Sequence, residues 1–247
     1  MTSKKIRIVV QAGHVDPREP GFESGTGTAH EQDLARAVRS RLVALLLKDG
    51  RFDVVECGGR TPDPRPFKCD AFISLHGDGS GDASASGYCY GYPPGDPSER
   101  LARDLSVCYE RIPGHPPHRK DNYTRALAGY YGFSARRISA DRKVLVEHGF
   151  LTNPGEREWL LSHLGDIAAA HYRGICKHFG KRAVALSPKP KPKPKPKPAP
   201  KRVDVEFAGR TVNVRQRADN PALLRRIARA ILRGLTVVVR PSTRRAP

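Results

Sequence analysis

Three short apolar runs punctuate the first part of the chain: Ile6 to Val10, Ala71 to Leu75 and Lys143 to Val146. Each has the length and β-branched content of a buried strand, and each stops at a polar stretch. The first leads into Gln11-Ala12-Gly13-His14, the second into His76 and the third into Glu147. From His30 to Lys48 the apolar residues recur at helical spacing, with Leu34, Val38, Leu42 and Leu45 on one face. Asn153 and Pro154 read as the N-cap and first residue of a long amphipathic helix. Strands alternating with helices predict an α/β domain over residues 1–182, with a twisted, mostly parallel sheet flanked by helices. The proline-rich stretch from Cys57 to Lys68 predicts no helix. Strand carboxyl ends form the usual ligand crevice of such sheets, so His14, His76 and Glu147 are expected to converge there.

Beyond residue 182 the pattern changes. Ser187-Pro188 and the alternating Lys-Pro run to Pro200 cannot supply the amide donors of a helix or a central strand. Residues 187–200 are therefore a spacer, whose reach at about 3.1 Å per residue is roughly 40 Å. Within 202–247, Val203 to Arg215 alternates like a strand pair turning at Ala208-Gly209. Asn220-Pro221 starts a helix with Leu224, Ile227, Ala228, Ile231 and Leu235 on one stripe and Arg226, Arg229 and Arg233 on another. Leu235 to Val239 reads as a last strand, giving a small basic α+β module. Charge sharpens that boundary. Residues 187–247 hold 17 Lys and Arg against 3 acidic residues, so +14 of the chain's net +19 lies there. A charge run is often only a solvated face, but the separate spacer and apolar stripe point to targeting. Anionic polymers, lipid headgroups and nucleic acid would all attract such a module.

Candidate chemistry sits in the first domain. Two imidazoles and a carboxylate, His14, His76 and Glu31, form a donor set that suits catalytic zinc and leaves one position for water. Glu147 is then the candidate base. Taken singly, a Glu in a first helical turn answers the helix dipole and a His after a strand is a hydrogen-bonded loop residue. Gly25 and Gly27 lack the Lys-Ser or Lys-Thr of a nucleotide loop. Cysteines 57, 69, 89, 108 and 176 have no paired-cysteine metal spacing, and their odd number argues for a reducing compartment. His115 and His118 read as surface residues, Cys176 and His178 as a helix end, and Glu158 as solvent-facing.

Taken together, Gln11-Ala12-Gly13-His14, the glycine-rich loop to Glu31, Ile73-Ser74-Leu75-His76 and the run Val144 to Asn153 resemble the zinc-dependent N-acetylmuramoyl-L-alanine amidases. The resemblance implies zinc ligands at His14, Glu31 and His76 and a catalytic carboxylate at Glu147. It also implies peptidoglycan as substrate, cut between N-acetylmuramic acid and the L-alanine of the stem peptide. Gly77-Asp78 stands where the family often has Ala-Asn, a departure at a position of substrate contact. The amino terminus reads as neither a secretory signal nor a membrane span. An amidase without an export signal and with a tethered module resembles a bacteriophage endolysin, made in the host cytoplasm and reaching the wall at lysis. The cell envelope is then the expected partner of the basic module, with nucleic acid as runner-up because the tail has no recognisable nucleic-acid motif. Two alternatives stand beside this reading: a zinc peptidase cutting within the stem or cross-bridge, and a basic nucleic-acid or envelope-binding protein with a vestigial site.

Overall fold

Strand β1 (Ile6–Ala12) leads to helix α1 (Thr28–Asp49) and back to β2 (Phe52–Cys57), the opening βαβ unit of a parallel sheet. There follow β3 (Phe67–Lys68), β4 (Ala71–Asp78), β5 (Cys89–Gly91), α2 (Asp96–Tyr109), α3 (Arg125–Ala128), a 3-10 turn (Tyr131–Phe133) and β6 (Ile138–Ser139). The unit closes with β7 (Arg142–Phe150), α4 (Pro154–Ser162) and α5 (Leu164–His178). The structure, a computed structural model, describes residues 4–15, 28–185, 203–207, 210–214 and 237–241. It divides into two units, Met1–Ala185 and Leu186–Pro247.

The main sheet has the order β2-β1-β4-β7-β5, with the first four strands parallel and β5 antiparallel to β7. This is the expected α/β architecture. Its central strands read as unbroken apolar runs because both faces are covered. On one face α5 packs against both α1 and α2. On the other, Val9, Phe72 and Leu145 meet Leu127, Phe133 and Ile138 from the irregular segment before β7.

Several boundaries differ from the sequence reading. Helix α1 buries Leu34, Val38 and Leu42, but its stripe continues to Leu46 while Leu45 is only half-buried. A 3.6-residue period carries the core face to that position. The expected single helix after Asn153 is two helices, divided at His163. Its N-cap is as read: Asn153 Oδ1 accepts from the amides of Gly155 and Glu156 at 3.0 and 3.2 Å. His76 and Glu147 lie inside β4 and β7 rather than just beyond them, because ladder pairing persists to Asp78 and Phe150. The segment after Cys57 has no helix and ends in β3, which pairs with β6.

In the second unit β8 (Val203–Phe207), β9 (Arg210–Val214) and β10 (Val237–Pro241) form an antiparallel sheet of order β10-β8-β9. The last strand begins two residues later than the pattern suggested. The Lys-Pro spacer, the turn at Ala208-Gly209, the helix from Asn220 with Arg226, Arg229 and Arg233, and the loop with Gly25 and Gly27 lie outside the described residues.

Candidate active site

His14 enters the site because the chain leaves β1 sharply. Gly13 still donates to the Leu75 carbonyl at 3.0 Å, but His14 takes a left-handed backbone with φ of 54°. Gly13 has no Cβ, and one built there would overlap the His76 ring. The two imidazoles meet edge to face at 4.9 Å between centroids. Glu31, in the first turn of α1, completes the group: its Oε1 stands 3.5 Å from His14 Nε2 and 3.2 Å from His76 Nδ1, and accepts from the Gly77 amide at 3.3 Å.

The proton inventory around His76 decides what that group can hold. The Gln11 side-chain amide donates to the Gly59 carbonyl at 2.8 Å, so its oxygen is the end that accepts from Ser74 at 2.7 Å and from Tyr130 at 2.9 Å. The single Ser74 proton is thus directed at Gln11, and the 2.9 Å contact between Ser74 Oγ and His76 Nε2 must be donated by the ring. His76 is therefore protonated on Nε2, and its Nδ1 lone pair faces a carboxylate oxygen at 3.2 Å. Two acceptors that close repel unless a second ring proton or a metal cation lies between them. Donor atoms about 2.0–2.1 Å from a tetrahedral ion stand about 3.4 Å apart, so the Glu31 spacings fit. Candidate ligand atoms of all three residues lie within 4.8 Å of one another.

Glu147 faces His76 across the β4–β7 register and lines, with His14 and His76, a cavity of ≈ 400 Å³. The residue keeps some exposure, but its Oε2 is buried and has no hydrogen-bond partner among the described residues. Burial pushes its carboxyl well above the usual range; the nearby charges of Asp78 and Glu31 add to this, while Arg119 opposes it. A cation held by the three ligands would oppose it too.

Strand alternation sends the next side chain to the helical face. His148 Nδ1 donates to the His76 carbonyl at 2.6 Å, so its Nε2 accepts from His171 Nε2 at 2.9 Å. Burial keeps both rings neutral, pulling His148 down to about 4. Glu156 braces the other side. Its buried carboxylate accepts from Ser86 Oγ (2.5 Å) and the amides of Gly87 (2.7 Å) and Phe150 (2.6 Å), tying the loop after β4 to the end of β7.

All four expected site residues thus lie at one edge of the sheet. Sequence reasoning missed their support. Ser74 and Gln11 had a signal, being polar residues inside apolar strands two and three positions from a candidate ligand. Asp78 accepts from Arg119 Nη2 at 2.6 Å and Tyr123 at 2.7 Å, pairings over long sequence separations with no local signature. His115 and His118 lie among Tyr88, Tyr90 and Tyr109 and add nothing to the metal group.

A family model described as N-acetylmuramoyl-L-alanine amidase matches residues 8–177. The catalytic domain of CwlV, an N-acetylmuramoyl-L-alanine amidase from Bacillus (Paenibacillus) polymyxa var. colistinus, superposes with a TM-score of 0.55 at 17% identity, covering 72% of this chain and 99% of that one. The amidase AmiC2 of Nostoc punctiforme gives 0.50 at 20% identity, covering 73% of this chain and 100% of that one. At such identities the likeness is one of fold. No curated protein sequence matches the chain.

Proposed function

Because the chain belongs to the N-acetylmuramoyl-L-alanine amidase family over residues 8–177, we propose that it is a zinc-dependent peptidoglycan hydrolase cutting between N-acetylmuramic acid and the L-alanine of the stem peptide. The observation that carries this reading is the grouping of His14, Glu31 and His76, with His76 Nδ1 set 3.2 Å from Glu31 Oε1, a spacing that suits a cation shared between them. Zinc held by His14, Glu31 and His76 would supply a Lewis acid and a more acidic water. Glu147 takes the proton of the attacking water and returns it to the alanine nitrogen as the amide C–N bond breaks. The chain of Gly59, Gln11 and Ser74 holds the His76 ring in place and fixes its tautomer.

The proposal extends to the setting. The enzyme acts as a bacteriophage lysis protein, made in the host cytoplasm and meeting the wall at lysis. All five cysteines are free, three of them buried, which suits synthesis in a reducing compartment. No described helix is long and apolar enough to cross a membrane. Residues 187–200 serve as a tether and 202–247 as an envelope-targeting module, for which the +14 charge of residues 187–247 is the support.

Purified cell walls treated with the zinc-supplied protein should release a free amino group on L-alanine. Amines on other stem or cross-bridge residues would identify a peptidase instead, and no release would overturn hydrolysis altogether. Replacing His14 or His76 by Ala should abolish metal binding and hydrolysis together. Glu147→Ala should keep near-stoichiometric zinc and slow hydrolysis by about 10²–10⁴-fold. Loss of zinc in that variant would make Glu147 a ligand.

A further inference from the structure

Among the described residues, four large hydrophobic side chains are well exposed, and only Tyr123 of these is aromatic. It is also the one that lines the cavity holding His14, His76 and Glu147. The residue is 44% exposed, yet its ring is held in place. The Arg119 guanidinium lies 4.4 Å from the centre of the Tyr123 ring and 4.4 Å from that of Phe150, while the Tyr123 hydroxyl donates to Asp78 at 2.7 Å. An exposed ring fixed at its face and at its hydroxyl has lost its freedom before any ligand arrives, so a partner stacking on it has less entropy to overcome.

The rest of the lining says what that partner is. Thr124, Ala126, Leu127, Tyr130 and Tyr131 continue the wall, and no Lys or Arg is among the described residues that line it. The guanidinium packed on the Tyr123 ring, that of Arg119, is already engaged by Asp78 at 2.6 Å and by the Gly87 carbonyl at 3.0 Å. A stem peptide carries carboxylates that call for cationic partners. A pyranose is neutral over its ring and offers an apolar C–H face to an aromatic plate with polar groups around its rim. We propose that Tyr123 forms a glycan subsite, stacking on the sugar ring of the muramic acid residue beside the metal ligands, so that the stem peptide leaves the centre by another side. This rests on the amidase reading for the identity of the sugar, while the stacking itself needs no hydrolysis.

The test is binding, measured by NMR titration of the zinc-supplied full-length protein with the N-acetylglucosaminyl-N-acetylmuramic acid disaccharide, its lactyl carboxyl capped as the amide, and, separately, with free stem peptide. Tyr123→Ala should weaken disaccharide binding about tenfold, the scale of one aromatic contact, while Tyr123→Phe stays within about threefold. Stem-peptide binding should change less than disaccharide binding in both variants. If Tyr123→Ala unfolds, Tyr123→Leu, which keeps apolar bulk but lacks the flat ring, should show the same tenfold loss. Undiminished disaccharide binding in a folded variant, a larger loss for the peptide, or no disaccharide binding by the unaltered protein would each overturn the subsite. Failure of the amidase reading would show separately, as walls that release no L-alanine amine.

Discussion

Ser74 illustrates how much of this site depends on a single hydroxyl. It is buried in β4 outside the group of His14, Glu31 and His76, yet its one proton, directed at Gln11, sets which His76 nitrogen carries hydrogen. Ser74→Ala should therefore weaken zinc by about 10–100-fold, measured by competition with a chromogenic chelator, while thermal stability falls far less than for a core truncation. Unchanged zinc affinity would mean that packing alone sets the ring. The grouping of His14, Glu31 and His76 was legible from sequence because each closes or opens an apolar element, and Glu31 additionally sits where a helix favours an acid. Arg119 and Tyr123 were not, since they meet Asp78 across sequence separations of 41 and 45. The Gly77-Asp78 departure now has a physical content: an aspartate at this position can engage a guanidinium and a phenol at once, and so order one wall of the cleft.

At the level of elements, alternation along β7 divides two jobs between neighbours, Glu147 toward the cavity and His148 toward α2 and α5. The buried parallel strands could be read from sequence because burial on both faces leaves an unbroken apolar run. The short edge strand β5, three residues long, carries no such pattern. The break at His163 escaped too, because both flanking helices are amphipathic. Helix α1 ends in a different kind of anchor. Asp49 accepts from Arg51 Nη2 at 2.6 Å and from Tyr172 of α5 at 2.5 Å. The Arg51 hydrogen bond is the chief reason that its carboxyl is held at about 2 instead of 3.8. A carboxylate depressed on folding contributes stability above its unfolded value and loses it as pH falls from 3.8 through about 2. With Arg51 partly open to solvent, the contribution is about 1 kcal/mol. Asp49→Asn should be less stable than the parent near neutrality by about that amount, and the gap should close as acid is added. Melting curves recorded across this range check it; a constant gap would assign the cost to packing.

On the scale of the whole molecule, the excess charge and the candidate site belong to different units. A spacer alternating lysine with proline offers nothing to pack, so limited proteolysis should cut within or beside 187–200 and release a folded fragment ending near residue 186. Removing 187–247 should weaken binding to whole walls, make what remains less sensitive to salt, and leave hydrolysis of small soluble muropeptides nearly intact. Co-sedimentation with walls at low and physiological salt measures the first two effects. Stronger, salt-resistant binding of the isolated tail to DNA than to walls would transfer the module to nucleic acid. This boundary was legible in composition alone, because proline excludes helix and central strand without reference to any partner.

The absent side chain at Gly13 has a consequence for inheritance. Any other residue there brings a Cβ into the space of the His76 ring, so every missense change at that codon must displace that ring. A random-mutagenesis screen for variants that no longer clear cell walls should accordingly recover Gly13 substitutions as readily as those at His14 or His76, alanine included. Alleles of alanine or serine at Gly13 with full activity would show that the ring can move aside. Recovery in proportion to codon opportunity, with no tolerated class, would make a residue with no side chain at all one of the least permissive positions in the gene.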